Sequence, residues 1–275
     1  MKIIKEINQD ILDSDICLIP TMGALHEGHL SLIEEGKKTG LLTMVSIFVN
    51  HMQFNEEEDF NKYPRQIEDD IKILEDSNID YLFIPENNYI FSENAFELID
   101  SGVLGKKYEG SSRPGHFDGV LTVVNRLFQL VKPKIAIFGK KDAQQLFLIK
   151  EMVLKKRNEI EIIEVKTIRE SSGLALSSRN LLLTENAKEK AVFIYSILKE
   201  VKKDFCQRRE FDAFESFSSM YLNLDIDYLE VLDLETFSKP TEKTDEYIIL
   251  VAANIEGLRL IDNIDFKLED VWKKL

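Results

Sequence analysis

Apolar positions along the chain follow two alternating rhythms. Short unbroken runs have the length and bulk of buried strands: "ICLIP" at 16–20, "LLTMVSIFV" at 41–49, "DYLFIP" at 80–85, "IAIF" at 135–138 and "EIIEVKTI" at 161–168. Between them lie longer segments whose apolar residues recur every three or four positions. "GHLSLIEEGKK" opens a helix behind the first run, and Ile67, Ile71 and Leu74 of "RQIEDDIKILEDSN" line one helical face. "DGVLTVVNRLFQLVK" at 118–132 reads as a largely apolar helix, and "AQQLFLIKEMVLKK" as a further one. Strands alternating with helices predict a parallel sheet covered on both faces, a Rossmann-like α/β domain.

Past "LALSSRN" the rhythm changes. A long helix is expected from about Thr184 to Phe205 and another near 211–222, followed by the strand-like stretches "IDYLEVLDL", "EYIILVAAN" and "LRLID". This predicts a smaller α+β domain, placed as a lid. The division is drawn as residues 1–172 and 173–275, although no Pro/Gly-rich linker marks it and any point between 167 and 183 would serve. No internal repeat or low-complexity tract is present.

Composition narrows the picture. A chain of 275 residues with 44% hydrophobic content suits two cores better than one. Its formal net charge of -14 repels phosphate backbones, and no Lys/Arg run offsets it, which argues against a nucleic-acid partner. Cys17 and Cys206 provide neither a disulfide framework nor zinc spacing and fit a reducing compartment, so the cytoplasm is expected. "MKIIKEINQD" lacks the apolar core of a signal peptide. No segment approaches the ~18 to 20 apolar residues of a membrane span, so no membrane partner is expected.

Candidate chemistry begins where the first strand ends, in "PTMGALHEGHLSL" at 20–32. Ligands of open α/β sheets bind beyond the carboxyl ends of the strands. Met22-Gly23 makes a tight exit, and Gly28 lets the backbone approach a ligand where the next helix starts, with unpaired N–H groups aimed at an anion. If 26–29 form the first turn, His26 and His29 share a face and offer ring N–H groups to phosphate oxygens. Taken alone, the pair also fits ordinary surface or core histidines. It does not fit a zinc helix, whose histidines stand four apart, and neither His51 nor His116 completes a metal pattern.

Further stretches bear on the choice. "SIFVNHMQFNEEEDFNKYPR" (46–65) places Asn50 and Gln53 after a strand, "SSRPGHF" (111–117) is a glycine-bearing loop with Arg113 and His116, and "GKKDAQQ" (139–145) leaves a second strand. "RESSGLALSSRN" (169–180) sets two hydroxyls beside a guanidinium. Each alone fits a polar strand exit, a turn or a cap. Together, in this order and spacing and with "LRLIDNI" near the end, they resemble the pantoate-β-alanine ligase family over almost the whole chain.

The resemblance implies a Rossmann-like nucleotidyl transferase domain and an ATP-dependent ligase that makes pantoyl adenylate before β-alanine displaces AMP. It implies that the strand-exit segment Met22, Gly23, Ala24, Leu25, His26, Glu27, Gly28 and His29 contacts ATP, with His26 and His29 as a variant of the HIGH motif on its phosphates. Gly139, Lys140, Lys141 and Asp142 resemble the nucleotide segment, with Lys141 on a phosphate and Asp142 on ribose, and the backbone of Ile168 would meet adenine. Leu176, Ser177, Ser178 and Arg179 resemble the loop that closes over the triphosphate. Of these, His29, His26, Lys141 and Arg179 would carry catalysis. Gln53 and Gln145 would hold pantoate, with Asn50 and Tyr63 lining that region. A homodimer is implied too.

Magnesium is expected with ATP, held mostly by phosphates and water. Asp69 and Asp70, a turn past "YPR", are the carboxylates best placed to approach it, against a solvated acidic face. The chain departs from the family pattern at His51, where proline is usual, at Ser172, where aspartate is usual, and at Gln129, where asparagine is usual. The rival readings are another nucleotidyl transferase of the same superfamily and a nucleotide-binding module without catalysis.

Overall fold

The computed structural model describes residues 1–55, 57–92, 97–156, 159–208 and 224–268. The chain divides into two compact units, Met1–Thr167 and Ile168–Leu275.

The first unit is built on six strands: β1 (Lys2–Ile4), β2 (Ile16–Thr21), β3 (Leu42–Ile47), β4 (Tyr81–Phe83), β5 (Ile135–Gly139) and β6 (Glu161–Val165). All neighbours pair parallel, in the order β1-β4-β3-β2-β5-β6. Its helices are α1 (Gln9–Leu12), α2 (Glu27–Lys38), α3 (Glu57–Lys62), α4 (Ile67–Asp76), α5 (Asn87–Ile90), α6 (Glu109–Ser112), α7 (His116–Val131) and α8 (Ala143–Lys155). Side chains of a strand point alternately to its two faces, and β2 shows the consequence. Ile16 and Leu18 join a core with α7 and α8, whereas Cys17 and Ile19 join a second core with α2 and α4. The expected two-sided cover is therefore present, and an unbroken apolar run is its signature in sequence.

From β2 the chain moves outward through β3 and β4 on one side, while β5 and β6 occupy the other. The order reverses between β2 and β5. Loops leaving their carboxyl ends diverge, opening the crevice in which ligands of such sheets bind.

The second unit holds α9 (Glu185–Arg208) and an antiparallel sheet of β7 (Asp225–Asp233), β8 (Glu246–Ile255) and β9 (Leu258–Lys267) in that order. Ala187, Ala191, Ile194, Leu198 and Val201 of α9 pack against the sheet face that carries Val231, Ile249, Val251 and Leu260. The helix expected near 211–222 lies outside the described residues. Among the described residues, no helix is long and apolar enough to cross a membrane. Strand β1 was not anticipated: three residues with an exposed, exposed, half-buried pattern carry no strand rhythm.

Candidate active site

Between the end of β2 at Thr21 and the N-cap of α2 at His26, the chain runs through unusual backbone. Gly23 (φ +80°) and Ala24 (φ +51°) are both left-handed, a conformation that costs an alanine roughly 1–2 kcal/mol. The exit is held from several sides. Thr21 Oγ1 donates to Ser46 O (2.8 Å) and accepts the Gly23 N–H (3.2 Å). The buried Asp70 of α4 accepts Ala24 N–H on Oδ2 (2.9 Å) and Leu25 N–H on Oδ1 (2.7 Å).

His26, as that N-cap, accepts the Gly28 N–H on its Nδ1 (3.1 Å), and His29 Nδ1 accepts the His26 N–H (3.3 Å). Imidazoles thus occupy both seats of a capping box, a place usually taken by a hydroxyl and a carboxylate. Because each Nδ1 is an acceptor, the neutral rings carry their proton on Nε2, and Nε2–H is the donor each has to offer. The ring centroids lie 4.1 Å apart at a tilt of 44°. Both rings resist protonation. Burial and then the Lys141 cation lower His26 to about 4, against the opposing pull of Asp142. Burial and then His26 lower His29 to about 3, with Asp142 opposing and Lys141 adding.

Those couplings place the β5 exit beside the histidines. Lys141 Nζ lies 3.4 Å from Asp142 Oδ1 in the turn Lys140–Asp142 that joins β5 to α8. Lys140 is directed to β6 instead, 3.6 Å from Glu164. The two glutamines that open α8 differ. Gln144 spends its amide on the 104–109 segment, donating to Leu104 O and Lys107 O and accepting Glu109 N–H. Gln145 is half-buried and its side chain has no hydrogen bond among the described residues.

Gln53 stands in a turn packed against α7. Its Nε2 donates to Met22 Sδ (2.9 Å), and Asn50 Nδ2 donates to Gln53 Oε1 (3.1 Å) and Gly119 O (3.0 Å). A Cβ on Gly119 would fall 2.4 Å from Met52 O, so only glycine lets α7 approach this turn. His51 opens the turn; Asn50 fixes it by accepting the Met52 N–H. Sequence reasoning placed Arg113 and His116 in a loop near the site without assigning them a partner. Both bond the Gln53 carbonyl, Arg113 Nη2 at 3.2 Å and His116 Nδ1 at 2.8 Å. The "RPGHF" loop held that signal, but its partner lies some sixty positions away. Tyr63 packs edge-on to Phe54 at 5.6 Å.

Of the carboxylates considered for magnesium, Asp69 is exposed and 3.1 Å from Lys72, while Asp70 is turned inward to the loop amides. Among the described residues, no group of three or more His, Cys, Asp or Glu side chains is arranged to hold a metal ion. An open cleft lined by Asp13, Asp15, Lys37, Thr43, Asn78 and Asp80 lies at the amino ends of β2, β3 and β4, the opposite edge of the sheet from the histidines. It contains none of the residues singled out above.

The remaining expected residues belong to the second unit. Ile168 O accepts Leu176 N–H (3.0 Å), Ser177 Oγ accepts Arg179 N–H (3.3 Å), and Arg179 Nη1 donates to Arg259 O (3.3 Å). Ser172 closes its own turn by accepting Leu174 N–H. The segment is tied to β9 by Arg169, whose guanidinium grips Asp262 with two bonds of 2.6 and 2.8 Å and lies 3.8 Å from the Tyr195 ring centroid.

By fold and site the first unit is a Rossmann-like α/β structure whose switch-point crevice is furnished for an anionic ligand. Comparison with known proteins narrows this. The profile of the family described as Pantoate-beta-alanine ligase matches residues 1–265. A pantothenate synthetase of Fervidobacterium nodosum is 44% identical over 255 residues, 90% of each chain, and one of Vesicomyosocius okutanii is 42% identical over 94% of this chain and 92% of its own. A crystal structure of pantothenate synthetase from Thermus thermophilus superposes with a TM-score of 0.87 at 34% identity, covering 96% of this chain and 99% of that one. A pantoate-beta-alanine ligase from Francisella tularensis, complexed with beta-gamma ATP and beta-alanine, gives 0.79 at 36% identity over 98% of both chains. The chain belongs to the pantoate-β-alanine ligase family.

Proposed function

We propose that this enzyme joins pantoate to β-alanine in two displacements. A carboxylate oxygen of pantoate attacks the α-phosphorus of ATP, expelling pyrophosphate and leaving pantoyl adenylate. The β-alanine amine then attacks the acyl carbon, and AMP departs with the bonding pair of the broken C–O bond while the amine loses a proton. No covalent bond to the protein is required, so positioning and electrostatics carry the acceleration.

The observation that supports this best is the imidazole capping box at the switch point. Two neutral rings whose Nδ1 atoms are already occupied present Nε2–H donors at a helix N-terminus, where the dipole also favours negative charge. We assign His26, His29 and Lys141 to the phosphates and Asp142 to the ribose. Met22 to Gly28, Gly139 and Lys140 form the backbone around the nucleotide, and Ile168 meets the base. Leu176, Ser177, Ser178 and Arg179 close over the triphosphate and exclude water from a readily hydrolysed anhydride. Gln53 and Gln145, with Asn50 and Tyr63 beside them, take pantoate without adding charge that would compete for phosphate. Magnesium enters with ATP, mostly on phosphate and water ligands. In keeping with the family resemblance, the working form is a cytoplasmic homodimer.

The histidine assignment is tested by His29→Ala. Loss of one preorganised donor is expected to slow pantoate-dependent ATP–pyrophosphate exchange about 10²- to 10⁴-fold with the circular dichroism spectrum unchanged. An unchanged exchange rate removes His29 from the mechanism.

A further inference from the structure

The carboxylate of Asp70 is only 2% exposed, and its environment points away from the cation-binding role its neighbours in sequence suggest. Both oxygens are engaged by consecutive backbone donors of the β2 exit, Oδ2 by Ala24 N–H at 2.9 Å and Oδ1 by Leu25 N–H at 2.7 Å. Hydrogen bonds to a carboxylate are about twice as strong as neutral ones, and this pair spans a backbone that needs support. Gly23 and Ala24 both stand at positive φ, the second at a cost to its side chain. A Cβ on Gly23 would lie 2.8 Å from Asp70 Oδ2 and 3.2 Å from Ile47 Cγ2, so glycine there is what admits the carboxylate. The residue after Leu25 is His26, whose N–H is in turn accepted by His29 Nδ1. One side chain on α4 is thereby connected, through two amides and one peptide unit, to both imidazoles.

We infer that Asp70 is a positioning residue for the ligase reaction: its carboxylate clamps the Gly23–Leu25 backbone and so fixes where the His26 and His29 rings stand, and it does not serve as a magnesium ligand. The inference rests on the assignment of those histidines to the ATP phosphates. Displacing a catalytic group by an ångström costs on the order of 10²-fold in rate, which sets the scale of the effect.

Asp70→Asn keeps the shape of the side chain but offers one acceptor to two donors. At saturating magnesium it is expected to slow pantoate-dependent ATP–pyrophosphate exchange about 10- to 100-fold, mainly in kcat, with the magnesium concentration for half-maximal rate unchanged. Placed in a His29→Ala background, the same change is expected to cost several-fold less than in the parent, the remainder acting through His26, because residues that act through one another are not additive. Equal losses in both backgrounds, a rate restored by added magnesium, or no loss in the unsubstituted background would each overturn the clamp. Failure of the histidine reading is seen separately, as a His29→Ala rate equal to that of the parent enzyme. Should Asp70→Asn not accumulate folded, amide hydrogen exchange in the unsubstituted, magnesium-free enzyme decides: the Ala24 and Leu25 amides are expected to be as protected as those inside α4, and rapid exchange there would contradict the proposal.

Discussion

His26 and His29 are neutral donors because of where they sit, and their neutrality has a thermodynamic consequence. Both are held below the ordinary imidazole value, at about 4 and about 3. Well above pH ~6.5 neither the folded nor the unfolded chain protonates them, and their contribution to stability is fully present. As pH falls from there toward 4, the unfolded chain takes up protons that the folded rings refuse, so stability is lost across that window. The decline in denaturant midpoint between about pH 7 and pH 5 is therefore expected to be smaller in a His26→Gln/His29→Gln variant than in the parent, and equal declines would show the rings to be unperturbed. The histidine pair was legible in sequence because it sits within one helical turn at a strand exit. Asp70 was legible only as an acid near "YPR": its partners lie 45 and 46 positions earlier, and an acidic first turn of a helix looks like a solvated face.

Among elements, the segment 168–183 is attached to β9 by a buried ion pair as well as by the Arg179–Arg259 hydrogen bond. Arg169 and Asp262 are largely screened from water, with side-chain exposures of 16% and 5%, and are joined by two short bonds. Removing one partner of such a pair strands the other charge, so Asp262→Ala is expected to lower the unfolding free energy of the second unit by about 3 to 5 kcal/mol in denaturant titration. A loss below about 1 kcal/mol would mean that the pair behaves as a surface contact. The exposed Lys5–Glu86 pair contributes little by comparison. Long elements were readable from period alone: the runs at 16–20 and 135–138 became β2 and β5, and the 118–132 pattern became α7. The short ones were not. The turns Leu104–Lys106 and Lys140–Asp142 and the helix α6 are set by tertiary partners, such as Gln144 for the 104–109 segment, rather than by local periodicity.

For the whole molecule, the balance of -14 sets the problem that the site has to solve, since a polyanionic nucleotide and an anionic acid must meet on an acidic protein. In the proposed reading the solution is local: a lysine, two ring donors and a helix start at one switch point. Length, composition and strand-helix alternation anticipated a Rossmann-like parallel sheet and a smaller α+β part, though not that the sheet would carry a separate core on each face. Alternation cannot give strand order, on which the crevice depends, because β2 and β5 are joined only by register between residues more than a hundred positions apart. The central claim is that the acid is activated before the amine arrives. ATP–pyrophosphate exchange without β-alanine tests it most directly: exchange that requires pantoate and stops without it is predicted, whereas exchange seen only when β-alanine is also present would contradict an adenylate formed in a separate first step.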